Sequence, residues 1–503
     1  MRAKEMNTLL FGIVPGPDIK TAEKLLQEGR PYLDGLELRL DHFTQIDPED
    51  LKTFIQTCGL PVMLTLRRKD QGGVFQGTEK ERLEWLELLC ALQPPYVDLE
   101  YDVPAEFRKK LFESYPGVSF LTSYHDFSET PNDLDAILAK MRTPHTHIYK
   151  MAFAAKSTLD ALRILQFVQA QKEKIIGIGM GEEGQTSRIL APVVGNFLTY
   201  AAIVEGNSTA PGQMTAKEMQ EIYRFRQLNQ DTKIYGLIGD PVDKSMGHLI
   251  HNAVFENQKI NAVYVKMKLR REEISPFLGH ILKLPFHGLS VTMPHKEAII
   301  PFLSQISIDS RVIGACNTIL IKEGKTTGFN CDGIGALNAI EKHGLVFGRH
   351  ALIIGAGGAA KSIVFEAAER GAFVTILNRT PEKAMEIADS MKGRGGGFEL
   401  LPEVCKQGYD VIINCIPESD FIEEQWILPE KIAMDIVYVP KNTPFLLKAA
   451  EKKCRIVYGY EMFINQAIEQ ERIWLDQTIN LDKAYGIIEK MVNQRLQAYE
   501  NTN

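Results

Sequence analysis

The sequence predicts an α/β protein, built as an amino-terminal (β/α)8 barrel followed by a second α/β unit that contains a Rossmann dinucleotide turn. Three observations lead there. Eight short β-type runs between Leu9 and Ile203 recur about every 25 residues, each followed by a helix-compatible stretch. The pattern changes over the polar segment RQLNQDTK, residues 226–233, which reads as a linker. Further on, an apolar strand runs into Gly355-Ala356-Gly357-Gly358-Ala359 and out into a helical pattern. With 503 residues the chain exceeds one hydrophobic core, and a prior of about 150 residues per domain gives roughly three domains.

The eight runs are LLFGIV, LDGLELRL, PVMLTLR, YVDLEY, VSFLTSYH, THIYKMAF, KIIGIGM and NFLTYAAI. Period alone does not separate a closed barrel from an open doubly wound sheet, but eight consecutive units without a Gly-rich dinucleotide turn favour closure. Side chains alternate across a strand, so residues two apart share a face. Glu37 and Arg39 therefore oppose Leu36, Leu38 and Leu40; Arg67 aligns with Thr65, His125 with Ser123, and Lys150 with Ile148 and Ala152. All lie toward the carboxyl ends of their strands, where barrels build active sites, and Arg188 follows the seventh run in GMGEEGQTSR. Singly, a strand-end His is more often hydrogen-bonded structure than catalyst, and a surface Arg or Lys usually only solvates. Gathered on one rim, a lysine, a histidine, a glutamate and three arginines point to chemistry. An amine held partly inside a barrel beside Arg39, Arg67 and Arg188 is expected to be free to attack a carbonyl, with His125 moving protons. The pattern reads as a Schiff-base lyase or aldolase acting on an anionic keto compound.

The second half opens at IYGLIGDP and continues through AVYVKMKL and FHGLSVTMPHK to a predicted hairpin, NTILIKEGKTTGFN, with EGK as its turn. ALIIGAGGAAKSIVFEAAERG and FVTILNRTPEKA then read strand, Gly turn, helix, strand. A lone Gly-rich string is often only a tight turn, but this context points backbone amides at a pyrophosphate. The next strand ends in Asn378-Arg379-Thr380, without the acid that holds a ribose 2′-hydroxyl. Arg379 therefore favours NADP over NAD, against the plainer reading of a solvated strand-end charge. Lys296 in VTMPHK and Asp332 in FNCDG each follow a β-type run. Such a pair is usually a surface ion pair, but in a cleft the carboxylate orients the ammonium for proton donation to a ketone being reduced.

Composition is ordinary for a globular protein, 45% hydrophobic and 24% charged, with a formal charge of -7 and acids and bases alternating throughout. No basic stripe marks a nucleic-acid face and no apolar run is long enough to span a bilayer, so small molecules are the expected partners. The seven cysteines are scattered, odd in number, and lack CxxC or Cys/His metal spacing. They read as reduced thiols in the cytoplasm, or in a plastid where a transit peptide has been removed, and no metal is expected.

Residues 8 to about 225 resemble type I 3-dehydroquinate dehydratase, on ELRLDHF, TLRRKDQGG, TSYHDF, YKMAF, GMGEEGQTSR and STAPGQ. The resemblance implies that Lys150 forms an imine with the substrate ketone and that His125 is the acid and base. It also implies that Glu37, Arg39, Arg67, Arg188, Thr209 and Gln213 hold substrate. Gln71 stands where many relatives carry Glu, and Thr209 where Ser is common, so any carboxylate role at position 71 is absent or dispensable.

Residues 234–490 resemble shikimate dehydrogenase along their length, on IGDPVDKSMGH, GLSVTMPHKEA, GACNT, GFNCDG, GAGGAA, NRT, MDIVYVP and GYEMFINQA. That resemblance implies that Lys296 and Asp332 are catalytic and that Ser245, Thr292, Asn317 and Gln466 contact substrate. It assigns Gly355, Ala356, Gly357, Gly358, Ala359, Asn378, Arg379 and Thr380 to NADP. Gly247 breaks the usual Ser-Lys-Ser-Pro, here SMGH, and Ser290 replaces a common Asn, so one carboxylate-binding hydroxyl is expected to be lost. The implied divisions are 1–228 for the dehydratase barrel, 233–335 for a substrate-binding domain completed by helices at about 460–503, and 336–459 for a Rossmann NADP domain. Both resemblances fit one metabolite series, in which 3-dehydroquinate loses water to give 3-dehydroshikimate and NADPH reduces that to shikimate. Two alternatives stand beside it. One is an NAD-dependent quinate/shikimate dehydrogenase in the second half, opposed by Arg379. The other is decay of a half into a metabolite-binding regulator, opposed by the presence of Lys150, His125, Lys296 and Asp332.

Overall fold

The computed structural model describes residues 7–206, 212–418 and 420–502. The chain divides into two compact units, Met1–Lys233 with Asn261–Leu269 and Ser275–Pro285, and Ile234–Ile260 with Arg270–Ile274 and Phe286–Asn503.

The first eight strands coincide with the eight apolar runs: β1 Leu9–Val14, β2 Gly35–Arg39, β3 Val62–Thr65, β4 Tyr96–Glu100, β5 Ser119–Asp126, β6 Ile148–Ala154, β7 Ile175–Met180 and β8 Leu198–Ala202. They pair in the order β7-β6-β5-β4-β3-β2-β1-β8, and β1 lies parallel to both β2 and β8, so the ladder bends round on itself. The seam between β7 and β8 is stitched differently. The Phe197 N–H donates to Ile175 O at 2.8 Å, and the Asn196 side chain exchanges two bonds of 3.0 Å with the Gly177 backbone. The bore is filled by alternate residues, among them Phe11, Ile13, Met63, Leu121, Ile148, Ala152, Ile176, Ile178, Leu198 and Tyr200. Leu36 and Leu38, on the opposite face, are also fully buried, as expected where helices cover a parallel sheet. Those helices start where the sequence supplies caps: Asp18, Asp47, Thr78, Asp133 and Thr215 each accept a first-turn N–H.

Two six-stranded sheets follow. One comprises β9 Lys233–Gly239, β10 Ala262–Lys268, β11 Phe286–Val291, β12 Gln305–Ile306, β13 Thr318–Lys322 and β14 Lys325–Phe329, in the order β10-β9-β11-β13-β14-β12. Its hairpin corrects the expected EGK turn. Lys325 already pairs with Lys322, so the turn is the two residues Glu323-Gly324. Both have positive φ, 52° and 71°, as a type I′ turn requires to match the strand twist.

The other sheet is wholly parallel: β15 His350–Ile354, β16 Phe373–Leu377, β17 Arg394–Gly396, β18 Val411–Asn414, β19 Ile432–Asp435 and β20 Arg455–Val457, in the order β17-β16-β15-β18-β19-β20. Apolar clusters cover both faces, one around Ile353, Ile376 and Ile413 and the other around Leu352, Ile354 and Ile412. Strand order reverses between β15 and β18, which places a ligand crevice at their carboxyl ends. Gly355 follows β15 with φ of 112°, a conformation that favours glycine. The helices Gly459–Leu475 and Leu481–Thr502 pack on the helix Gly247–Asn257 through Ile464, Ala467, Ile488, Val492, Ile250 and Val254.

Replacing Asn196 with Leu keeps the branching at Cγ but strands the buried Gly177 N–H and C=O. The expected cost is about 2–4 kcal/mol, read as a lower urea midpoint for the barrel transition. An unchanged midpoint would mean the seam is closed by apolar packing alone.

Candidate active sites

At the barrel mouth Lys150 extends Nζ from β6 to Glu37 Oε1 at 2.9 Å and Asp98 Oδ2 at 3.1 Å, with the Tyr200 ring centroid 4.5 Å away. Asp98 also accepts from Arg67 Nη2 at 2.6 Å and from Ser123 Oγ at 2.5 Å. Burial alone would raise the Asp98 carboxyl, but the charges of Arg67 and Lys150 hold it far below the usual range. Burial likewise disfavours the Arg67 cation, and Asp98 and Glu100 outweigh it, so Arg67 stays charged. Glu100 accepts from Arg82 Nη1 at 2.5 Å, so the pairing continues outward to the helix Glu79–Ala91.

His125 lies near the end of β5, where its backbone N–H donates to Gln71 Oε1 at 3.0 Å and its ring stacks on Phe127 with centroids 6.0 Å apart. Burial first, then the charges of Arg67 and Lys150, push the imidazole well below its ordinary 6.5. It is held neutral, as a base. Its Nδ1 is buried without a hydrogen-bond partner.

The three arginines are not equivalent. Arg39 grips Asp41 with two bonds of 2.9 and 2.8 Å, and Arg67 is saturated by Asp98, Ser123 and Glu100. Arg188 is buried, gives Nη1 to Tyr200 O at 3.3 Å, and leaves Nε unpartnered. With no acidic neighbour to offset it, burial pulls Arg188 down to about 10, still charged at neutral pH. Gln213 lines the same pocket, and Thr209 lies outside the described residues. The surroundings expected for Lys150, three arginines with His125 and Glu37 on the same rim, lacked Asp98. Its signal was present in YVDLEY, where Asp98 and Glu100 alternate with Val97 and Leu99.

The second unit holds a cleft of about 640 Å³ lined by Thr292, Lys296, Asp332, the turn Ala356 to Ala359, Asn378 and Gln466. Lys296 Nζ donates to Asp332 Oδ2 at 2.5 Å, and Asn317 Nδ2 donates to the other carboxylate oxygen at 2.7 Å. Asn317 is buried, so it bears on the cleft through Asp332. A Cβ on Gly357 would meet no atom within 4 Å, and one on Gly358 would lie 3.8 Å from Lys296 Cδ. The turn therefore offers bare backbone at the amino end of the helix Gly358–Glu369, beside the dyad, which fits a dinucleotide pyrophosphate. Gly355, Arg379, Thr380 and Ser245 lie outside that lining; Arg379 and Thr380 are exposed just beyond β16. Ser245 Oγ accepts the Gly247 N–H at 3.1 Å, and Ser290 Oγ donates to Gln470 Oε1 at 3.1 Å. Tyr438, Met462 and Phe463 line the cleft and were missed, although they sit inside MDIVYVP and GYEMFINQA. Among the described residues no cluster of His, Cys, Asp and Glu is arranged to hold a metal ion.

Family models match three stretches: type I 3-dehydroquinase over residues 10–230, the shikimate dehydrogenase substrate binding domain over 237–319, and shikimate/quinate 5-dehydrogenase over 339–434. The shikimate biosynthesis protein AroDE of Chlamydia pneumoniae is 32% identical over 470 residues, covering 93% of this chain and 95% of that one. The chloroplastic bifunctional 3-dehydroquinate dehydratase/shikimate dehydrogenase of Arabidopsis thaliana is 34% identical over 469 residues, covering 88% and 77%. The chain belongs to the bifunctional 3-dehydroquinate dehydratase/shikimate dehydrogenase family. Its second half is also 39% identical to the shikimate dehydrogenase (NADP(+)) of Pyrococcus furiosus, over 49% of this chain and 92% of that one.

In family terms the barrel is the dehydratase half, and the role expected of the His125 imidazole there is that of the base. Because burial and two cations depress that imidazole, the acid limb of dehydratase kcat/KM is expected below pH 6.5, its ordinary value. The base form is then fully present at neutral pH and is lost only as pH falls through the lowered value. A limb centred at or above 6.5 would show that Asp98 governs His125 more strongly than burial does.

Proposed function

We propose that the chain catalyses two consecutive steps, dehydration of 3-dehydroquinate to 3-dehydroshikimate in the barrel and NADPH-dependent reduction of 3-dehydroshikimate to shikimate in the second unit. One observation carries the reading: each half has its own lysine and carboxylate in its own cleft. In the barrel the lysine is buried beside a neutral imidazole and an uncompensated arginine. In the second unit it opens on a Gly-rich helix terminus.

In the barrel Arg188 receives the substrate carboxylate, because Arg39 and Arg67 already have acidic partners. Lys150 forms an imine at the ketone, which draws electrons from the neighbouring carbon. His125 removes the proton there, and the hydroxyl leaves as water. Glu37 and Gln213 contact the ring hydroxyls, with Thr209 contributing its own.

NADPH, when bound in the second unit, supplies a hydride. Lys296 gives the ketone oxygen its proton, and Asp332, fixed by Asn317, aims the ammonium. Backbone N–H groups from Gly355 to Ala359 would hold the NADPH pyrophosphate, and Asn378, Arg379 and Thr380 its 2′-phosphate end. Thr292 and Gln466 hold substrate hydroxyls. Ser245, whose lone pair takes the Gly247 N–H, keeps its own proton for the substrate carboxylate. The units correspond to 1–228 for dehydration, 233–335 with about 460–503 for substrate binding and 336–459 for NADP. All seven thiols are unpaired, which supports a reducing compartment, the cytoplasm or a plastid. No helix among the described residues is long and apolar enough to cross a membrane.

Borohydride with 3-dehydroquinate is expected to fix an adduct on Lys150, located by mass spectrometry; no adduct there overturns the imine. Lys150→Ala should abolish dehydration and leave reduction of added 3-dehydroshikimate within about 0.5 kcal/mol, as for distant sites. Lys296→Ala or Asp332→Asn should do the converse. Loss of both activities from any one of these, in folded protein, would mean a shared site. NADPH should outperform NADH by about one to two orders of magnitude, a gap that Arg379→Ala narrows. Equal use of the two cofactors by the unmodified protein removes Arg379 from that role.

A further inference from the structure

Lys150 must shed a proton before its nitrogen can attack a ketone, and few atoms are placed to receive it. Glu37 from β2, Arg67 after β3, Asp98 from β4, His125 from β5, Arg188 after β7 and Tyr200 from β8 surround the amine. Only two of them accept its hydrogen bonds among the described residues, Glu37 Oε1 at 2.9 Å and Asp98 Oδ2 at 3.1 Å.

Those two carboxylates are not alike. Asp98 is committed to Arg67 at 2.6 Å and to Ser123 at 2.5 Å, and a carboxylate anchored to a guanidinium is a poor proton acceptor. Among the described residues Glu37 has one further hydrogen bond, the Thr65 hydroxyl donating to the same Oε1 at 2.8 Å, and it feels the charge of Arg67 without forming an ion pair with it. Both Glu37 and Lys150 are buried, 3% and 4% exposed, so bulk water is poorly placed to do the work instead.

Building on the imine reading above, we infer that Glu37 is the catalytic base that takes a proton from Lys150 and so frees its nitrogen for attack. One Nζ–H bond breaks to Glu37 Oε1, and the nitrogen lone pair forms the C–N bond while the carbonyl π pair moves to oxygen. A second N–H proton passes to that oxygen. The proton on Glu37 then goes to the resulting hydroxyl, which leaves as water with its bonding pair as the nitrogen lone pair closes the C=N bond. Ammonium plus ketone thus give iminium plus water, charge is conserved, and Glu37 is regenerated. His125 is kept for the carbon proton.

Glu37→Gln retains an oxygen for Thr65 and Lys150 but cannot take a proton. In the full chain at pH 7 with saturating 3-dehydroquinate and borohydride, trapping on Lys150 is expected to slow by about a hundredfold or more. It should recover toward the unmodified rate as the pH is raised toward about 10, where hydroxide removes the proton in place of Glu37. Glu37→Asp keeps a base one methylene further away and should show a smaller deficit with the same recovery; it also serves if the Gln variant does not fold. In either variant, folded by circular dichroism, a deficit that vanishes toward pH 10 supports the assignment. Trapping at the unmodified rate, or a deficit that persists at every pH, overturns it. If the unmodified protein itself traps no adduct, the imine reading falls first.

Discussion

The barrel site depends on one buried ion pair, Arg67 with Asp98. It joins the residue after β3 to the face of β4, and through Ser123 and Lys150 it reaches β5 and β6. Charges taken out of water are costly unless paired and hydrogen-bonded, so the pairing has to be nearly complete. It runs Lys150, Asp98, Arg67, Glu100, Arg82, Glu79, alternating in sign at each step. Breaking one link leaves the group on either side of it a partner short. The rigidity that follows fixes where the amine can point, and Arg188, which gives Nη1 to Tyr200 O, stands outside that chain of pairs.

In the proposed reading, the two lysines differ in burial as their two chemistries require. The Lys150 side chain is 6% exposed and has two carboxylates on it; the Lys296 side chain is 19% exposed and has one. An amine that becomes covalently joined to substrate gains from enclosure, because a water-accessible imine hydrolyses. An ammonium that gives up a proton in each turnover gains from an open side, through which the proton is replaced. Asp332 serves this second case by being fixed at its other oxygen by Asn317, so that the donor is aimed without being enclosed.

Eight strands were legible because β-type runs at regular spacing are a local property, and the Gly turn because its flanking strand and helix are local too. Closure was read from eight consecutive units without a Gly-rich turn, but the contact that makes it, Asn196 reaching Gly177 across the β7–β8 seam, is one no period announces. The hairpin turn was placed one residue long, since EGK contains Glu323-Gly324 and nothing in the string says that Lys325 already ladders. The rim of the barrel was legible as a set of residue types, but the partners were not. Arg39, Arg67 and Arg188 look alike in sequence and differ only in whether an acid from elsewhere in the fold has reached them. Asp98 is not distinguished in the string, because an acid between Val97 and Leu99 reads equally well as an ordinary alternating strand residue.

Gln71 shows how that pairing reaches the reactivity of the base. Its Oε1 accepts the backbone N–H of His125, a bond that an amide makes as well as a carboxylate, so the position of the base does not need an acid there. Its protonation state does depend on the choice. A carboxylate at 71 would set a negative charge against an imidazole already near Asp98 and would favour the charged form. With the neutral amide, burial and the charges of Arg67 and Lys150 prevail, and the ring is kept unprotonated with Nδ1 unpaired. An amide at 71 thus keeps the positioning that a glutamate would give and leaves out its charge, and the charges of Arg67, Lys150 and Asp98 set the field around the ring.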